Sequence, residues 1–255
     1  MVLAVISPRL VAFYWESRSS NQVRRGIRNA RELGCFSCHG ELGREGIPIP
    51  AEEQDAPAWS GGVWMMYVKT DEDIRRFILD GSSENGHEES AGSPQHDSEG
   101  KGVAMPAYRD FLGGSDLDDL VATFKVLSGM VLPPRKSPAR RGYEVARRWQ
   151  CFSCHGAAGS GGLPNPGSFT GFIPGWYGAD FRDLVHDREE FDQWVLEGRI
   201  SRIADHPVAR FFIQRQRVSM PAYGRLTTAE LEELWAYAQW LQETDGGHRG
   251  AASPW

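Results

Sequence analysis

The sequence predicts an all-α protein built as two similar halves, and three observations carry that expectation. The stretch Cys35-Phe36-Ser37-Cys38-His39-Gly40 recurs as Cys151-Phe152-Ser153-Cys154-His155-Gly156. The segments before and after both copies place apolar residues at helical spacing. Each half then closes on one tetrapeptide, Met105-Pro106-Ala107-Tyr108 and Met220-Pro221-Ala222-Tyr223. A chain of 255 residues has room for two domains of roughly 110 residues each. The expected organisation is an apolar N-terminal arm over 1–21, a first domain over 22–131, a Pro-rich linker over 132–138, a second domain over 139–245 and a tail over 246–255.

Each half can be followed in order. Val23, Ile27, Ala30 and Leu33 form an apolar stripe that ends at Gly34, just before the first motif. The offset that carries Cys35 onto Cys151 also carries Arg24-Arg25-Gly26 onto Arg140-Arg141-Gly142. A glycine and proline-rich loop follows each histidine, Gly46-x-Pro48-x-Pro50 and Gly162-x-Pro164-x-Pro166. Thr70-Asp71-Glu72-Asp73 has the pattern of a capping box, and Ile74, Phe77 and Ile78 continue it as a helix to Gly81. Its counterpart runs from Asp187 to Gly198, with Phe191, Trp194 and Val195 on the stripe. The halves then diverge: 82–100 is an acidic, mobile loop, whereas 199–219 is basic and carries Phe211-Phe212-Ile213. Mutual docking, separate partner faces and plain solvated surface are the alternatives. Last helices follow, capped by Ser115 and Thr227, with Leu117, Leu120 and Phe124, and Leu231, Leu234 and Trp240, toward the core.

Two cysteines three positions apart, with a histidine directly after the second, are the spacing that attaches a c-type haem. Each thiol forms a thioether to the porphyrin and the imidazole binds the iron. The two stretches use all four cysteines of the chain. None is left for a disulfide, a redox pair or a nucleophile. Two Cys-x-x-Cys pairs could instead share one zinc, and one pair alone could be a thioredoxin-like dithiol. Neither explains the identical histidine after both pairs. The predicted cofactors are two covalently bound haem c groups with their iron, held by Cys35, Cys38, Cys151 and Cys154 and ligated by His39 and His155.

With its haem motifs, its flanking helices and its closing Met-Pro-Ala-Tyr, the chain resembles the class I c-type cytochromes in a tandem two-haem arrangement, over most of residues 22–245. The resemblance implies two tandem domains, each a few helices wrapped around one haem. It implies that Met105 and Met220 supply the second axial ligands from the loop before the last helix. Methionine is more often core filler than ligand, but here it repeats, and Met220 is the only methionine of the second half. Met65 and Met66 lack the Pro-Ala-Tyr context. In the family a loop proline carbonyl holds the other nitrogen of the haem histidine, a role that falls to Pro50 and Pro166, with Pro48 and Pro164 as substitutes. In the family, too, the first and last helices cross at a glycine, which accounts for Gly26 and Gly142 inside helical patterns, where glycine costs about 1 kcal/mol relative to alanine. Phe36 and Phe152 are expected at the exposed haem edge, with core packing as the alternative.

Histidine and methionine together close the iron, which suits single-electron transfer. The function implied is a dihaem electron carrier between a redox protein donor and acceptor, free or as a component of a larger membrane complex, with no catalytic residues. The alternative is an enzyme with one exchangeable haem site, of the dihaem peroxidase or thiosulfate-oxidising type, in which His87 or His96 could take part. The family attaches its haem on the outer side of the bacterial membrane, so a periplasmic location or attachment to the outer face of the cytoplasmic membrane follows. Residues 1–15 are apolar apart from Ser7, Pro8 and Arg9 and short of the about 20 needed to span a bilayer; an export signal, an anchor remnant and a docking arm are the readings for them. Net charge is −6 for the whole chain, without the basic stripe nucleic acid would need.

Overall fold

The computed structural model describes residues 22–44, 46, 56–81 and 105–244. The arm 1–21, Pro48, Pro50, the acidic segment 82–100 with His87 and His96, and the tail lie outside the described residues. Among those described, regular structure is helical, apart from one isolated antiparallel bridge between Pro164 and Phe172. None of these helices is long and apolar enough to cross a membrane. The chain divides into two compact units, one over Arg25–Met130 and one over Val131–Trp255 that also takes in Met1–Arg24, so the division falls within the first turn of the first helix.

In the first unit, α1 (Gln22–Glu32), α2 (Cys35–His39), α3 (Asp71–Asp80) and α4 (Asp116–Leu127) carry the fold. The start of α3 follows from its capping box: the Thr70 hydroxyl accepts from the Asp73 N–H, and the Asp73 carboxylate accepts from the Thr70 N–H. Buried Ile74 then packs with Trp64, Val68 and Val121. Ser115 precedes α4 but makes no capping bond. The Asp116 carboxylate instead accepts from Gly113 N–H at 3.0 Å, closing the turn before the helix, and from Asn29 at 3.0 Å. Helices α1 and α4 touch main chain to main chain at Gly26, where a Cβ would lie 2.1 Å from the Asp119 carbonyl oxygen. Beside it the Arg25 guanidinium grips the Asp119 carboxylate through two bonds of 2.7 and 2.8 Å. Asp119 is 1% exposed. A carboxylate so buried needs this fork of donors to offset its lost hydration.

The second unit repeats the scheme with α5 (Pro138–Arg148), α6 (Phe152–His155), α7 (Ala179–Leu184), α8 (Arg188–Glu197), α9 (Ser201–Ala204), α10 (Pro207–Ile213) and α11 (Thr228–Glu243). Pro138, assigned to the linker from sequence, is the first residue of α5. Ser137 caps that helix by accepting from Arg140 N–H at 3.0 Å, and a proline needs no N–H at that position. At Gly142 a Cβ would lie 1.9 Å from the Glu233 carbonyl oxygen of α11, and Arg141 pairs with the Glu233 carboxylate. The start of α11 is a capping box between Thr227 and Glu230. The Thr227 N–H and the Arg148 guanidinium hold the Glu230 carboxyl down at about 2. Buried Leu231, Leu234, Tyr237, Ala238 and Leu241 line its inner face. The segment after Gly198 is tied down where Arg202 of α9 makes two bonds, 2.6 and 2.9 Å, to Glu190 of α8.

Two outcomes are expected. Gly142→Ala should lower stability by about 1–3 kcal/mol in thermal or urea unfolding, since the added methyl forces α5 off α11 even though alanine is the better helix former. For the Glu190 latch, Arg202 and the His186 N–H hold the carboxyl at about 2 against an ordinary 4.5. A depressed folded value stabilises above the ordinary pKa and is lost as pH falls from about 4.5 toward 2. Arg202→Ser should therefore flatten the acid limb of stability against pH in that window, and leave its shape near neutrality unchanged.

Candidate functional site

Each Cys-x-x-Cys-His stretch lies on a short helical turn, so the two thiols and the imidazole, at spacings of three and four, share one face. The chain reaches that turn through a left-handed residue, Gly34 with φ 79° in the first half and Gln150 with φ 58° in the second. Gly34 ends α1 by donating to Arg31, while Cys151 N–H reaches back to Ala146 at 2.9 Å.

The histidines are fixed from behind. His39 Nδ1 lies 2.7 Å from the Pro57 carbonyl oxygen and His155 Nδ1 lies 2.9 Å from that of Pro174. A carbonyl only accepts, so Nδ1 carries the proton and Nε2 keeps its lone pair for a metal. Burial pushes both imidazoles below their ordinary value, the carbonyls opposing it, and raises the Cys35 and Cys151 thiols to about 11. The imidazole is thus neutral, the form in which it would ligate a haem iron.

These acceptors replace the ones expected from sequence. Pro166 gives its carbonyl to Arg217 N–H at 3.0 Å, and Pro164 forms the bridge with Phe172; Pro50 and Pro48 lie outside the described residues. The physical reason is a tether further along each loop. Trp59 N–H donates to Gly43 and Trp176 N–H to Gly159, at 2.9 and 2.8 Å, and this draws the proline two residues earlier over the histidine. The signal was legible as a second repeat, Pro57-x-Trp59 and Pro174-x-Trp176, one position off the main offset. Both tryptophans stand beside the imidazoles, with ring centroids 5.5 Å apart. Phe36 and Phe152 pack inward on these same tryptophans, at 5.4 and 5.8 Å. Phe36 is buried and Phe152 half-buried, so both pack as the core alternative had it.

The two methionine loops are held by a common device. Tyr108 N–H donates to Ile78 and Tyr223 N–H to Val195, at 3.1 and 2.9 Å, laying each Met-Pro-Ala-Tyr against the preceding helix. The glycine ending that helix admits the methionine backbone: a Cβ at Gly81 would lie 2.2 Å from the Met105 carbonyl oxygen, and one at Gly198 2.3 Å from that of Met220. In the second unit Cys151, Cys154, His155, Trp194, Met220 and Leu234 line one cleft of about 1230 Å³, part of it open to solvent. Its walls are largely apolar, as a porphyrin requires. Met65 and Met66 are 47% and 74% exposed. His206 caps α10, and His186 lies 3.9 Å from Glu190. Among the described residues, no group of three or more His, Cys, Asp or Glu side chains could hold a bare metal ion.

Gly81→Ala and Gly198→Ala should each cost about 1–3 kcal/mol in urea unfolding, from the clash with the methionine backbone added to a left-handed φ. Gly61 has φ 86° and open space around it. Gly61→Ala should cost only about 1 kcal/mol, which separates the backbone penalty from the clash.

Comparison with known proteins gives one family match, on the second half. Residues 137–240 match the family described as cytochrome c oxidase, cbb3-type, subunit III. The match opens at the cap of α5 and runs into α11, so it spans the helix crossing, the second Cys-x-x-Cys-His stretch and Met220. No curated protein gives a significant match to the chain. The second half is thus related in fold to a domain of cytochrome-complex subunits.

Proposed function

We propose that the chain is a dihaem cytochrome c of two tandem class I domains, carrying single electrons between a redox donor and acceptor as a component of a membrane-associated respiratory complex on the outer side of the cytoplasmic membrane. The observation that carries this reading is the duplicated tether of the haem histidine, in which Nδ1 is bound to a proline carbonyl and Nε2 is left as a ligand. Cys35, Cys38 and His39 would hold one haem and Cys151, Cys154 and His155 the other, with Met105 and Met220 as the opposite ligands. When bound, each iron supplies a one-electron couple, and the thioether favours its reduced form. The protein's own part is to keep the imidazoles neutral and oriented, to wall each site with Trp59 or Trp176, and to hold the methionine loops in place so that little rearranges when the charge changes. The match of 137–240 to an oxidase subunit family supports assembly into a larger complex.

Haem content and ligation test this directly. The holoprotein should carry two haems per chain, and Cys35→Ser/Cys38→Ser and Cys151→Ser/Cys154→Ser should each remove one. Met105→Ala and Met220→Ala should each abolish one part of the near-infrared methionine-to-iron band and open that haem to carbon monoxide. The wild type should bind the gas slowly at both. A single haem per chain would refute the tandem reading; rapid carbon monoxide binding to the wild type would instead make an exchangeable, enzymatic haem the better account.

A further inference from the structure

The second unit carries a surface that the first does not reproduce among its described residues. Between positions 199 and 217 the chain has five arginines against one acid, Asp205. Arg202 is engaged by Glu190, but no ion pair found among the described residues involves Arg199, Arg210, Arg215 or Arg217, all exposed. Large apolar side chains stand among them: Phe169 is 47% exposed, Phe211 48% and Val208 57%. The Arg215 guanidinium lies flat over Phe211 at 3.6 Å, and Phe212 joins Phe169 to Phe211 with centroids 5.0 and 5.3 Å away.

This surface is held rigid. Asn165, buried, donates to the Val218 carbonyl at 2.9 Å and accepts from the Val218 N–H at 2.8 Å. Pro166 accepts from Arg217 N–H, and a Cβ at Gly167 would lie 2.0 Å from the Arg215 carbonyl oxygen. The loop 163–172 and the segment after α10 are therefore one platform. Arg199, Ile213, Gln216 and Val218 of that platform also line the cleft that holds His155 and Met220, so whatever sits on the platform sits at the cleft mouth.

We propose that this platform is the docking face for a redox protein whose own redox centre is ringed by acidic side chains. Positive charge with no ion pair among the described residues selects an acidic surface and steers it in. Preformed aromatic and arginine anchors are the residue types that concentrate binding energy. The position at the cleft mouth favours a redox protein over an anionic lipid surface, since a bilayer there would cover the opening without offering an electron acceptor. The inference rests on the haem reading of the second site.

The test is binding of the holoprotein to plastocyanin, used as a small acidic copper protein, and to phosphatidylserine vesicles, each at low and high ionic strength. The platform variants are Arg210→Glu/Arg215→Glu and Phe211→Ser; the control is Arg75→Glu/Arg109→Glu in the first unit. Circular dichroism and haem content are recorded for every sample. Plastocyanin should bind the wild type and the control alike and weaken at least about tenfold with salt. The double arginine variant should lose about tenfold or more at low salt, and Phe211→Ser should weaken binding without changing the salt slope. Equal binding by wild type and folded platform variants would overturn the proposal, as would no binding by a wild type carrying both haems. Platform-dependent binding to the vesicles alone would overturn it in favour of a membrane face. A chain without a second haem would instead remove the functional reading beneath it.

Discussion

Each half of the molecule depends on keeping one proton on one nitrogen. The imidazole of each Cys-x-x-Cys-His stretch can carry its proton on either of two nitrogens, and only one choice leaves Nε2 free for a metal. A proline carbonyl settles the choice in both units. Proline suits the task because it fixes φ and offers no N–H that would compete for the same space. The remaining architecture brings that carbonyl to the imidazole: the bond from tryptophan to glycine closes the loop, and the tryptophan then walls the ring. The crossing of first and last helices at a glycine holds the base from which the motif starts.

Much of this was legible in the sequence because it rests on short-range chemistry. The capping box at Thr70 needs only residues three apart and forms as expected, and the cap expected at Thr227 forms as a full box with Glu230. Helix crossing at Gly26 and Gly142 follows from the one residue type that lets two backbones meet. What was not legible depends on tertiary geometry. Pro166 and Pro174 are both loop prolines, and only the Trp176 tether shows which carbonyl reaches His155. Ser115 looked like a cap, yet its side chain makes no capping bond, and the Asp116 carboxylate binds Gly113 N–H and Asn29 instead of the helix's own first turn. Pro138 looked like linker, although a proline after serine is equally the start of a helix.

The halves share a tether and a methionine loop but differ in how charge is used. In the first unit the arginine at the crossing is matched to a buried carboxylate; in the second, Arg141 meets Glu233 where both are partly exposed. The first pair is costly to break from the arginine side because Asp119 would be left charged and unhydrated, whereas the more exposed pair contributes little. The first crossing is thereby specified by electrostatics as well as shape, the second mainly by packing.

The histidine and its proline stand 18 positions apart in the first half and 19 in the second, yet the bond they make is the same. The bond is thus set by the tether at each end of the loop and not by the number of residues between them. Insertions there can reshape the rim of one site without retuning the histidine inside it, and a duplicated chain can diverge at that rim while both centres keep the same protonation chemistry.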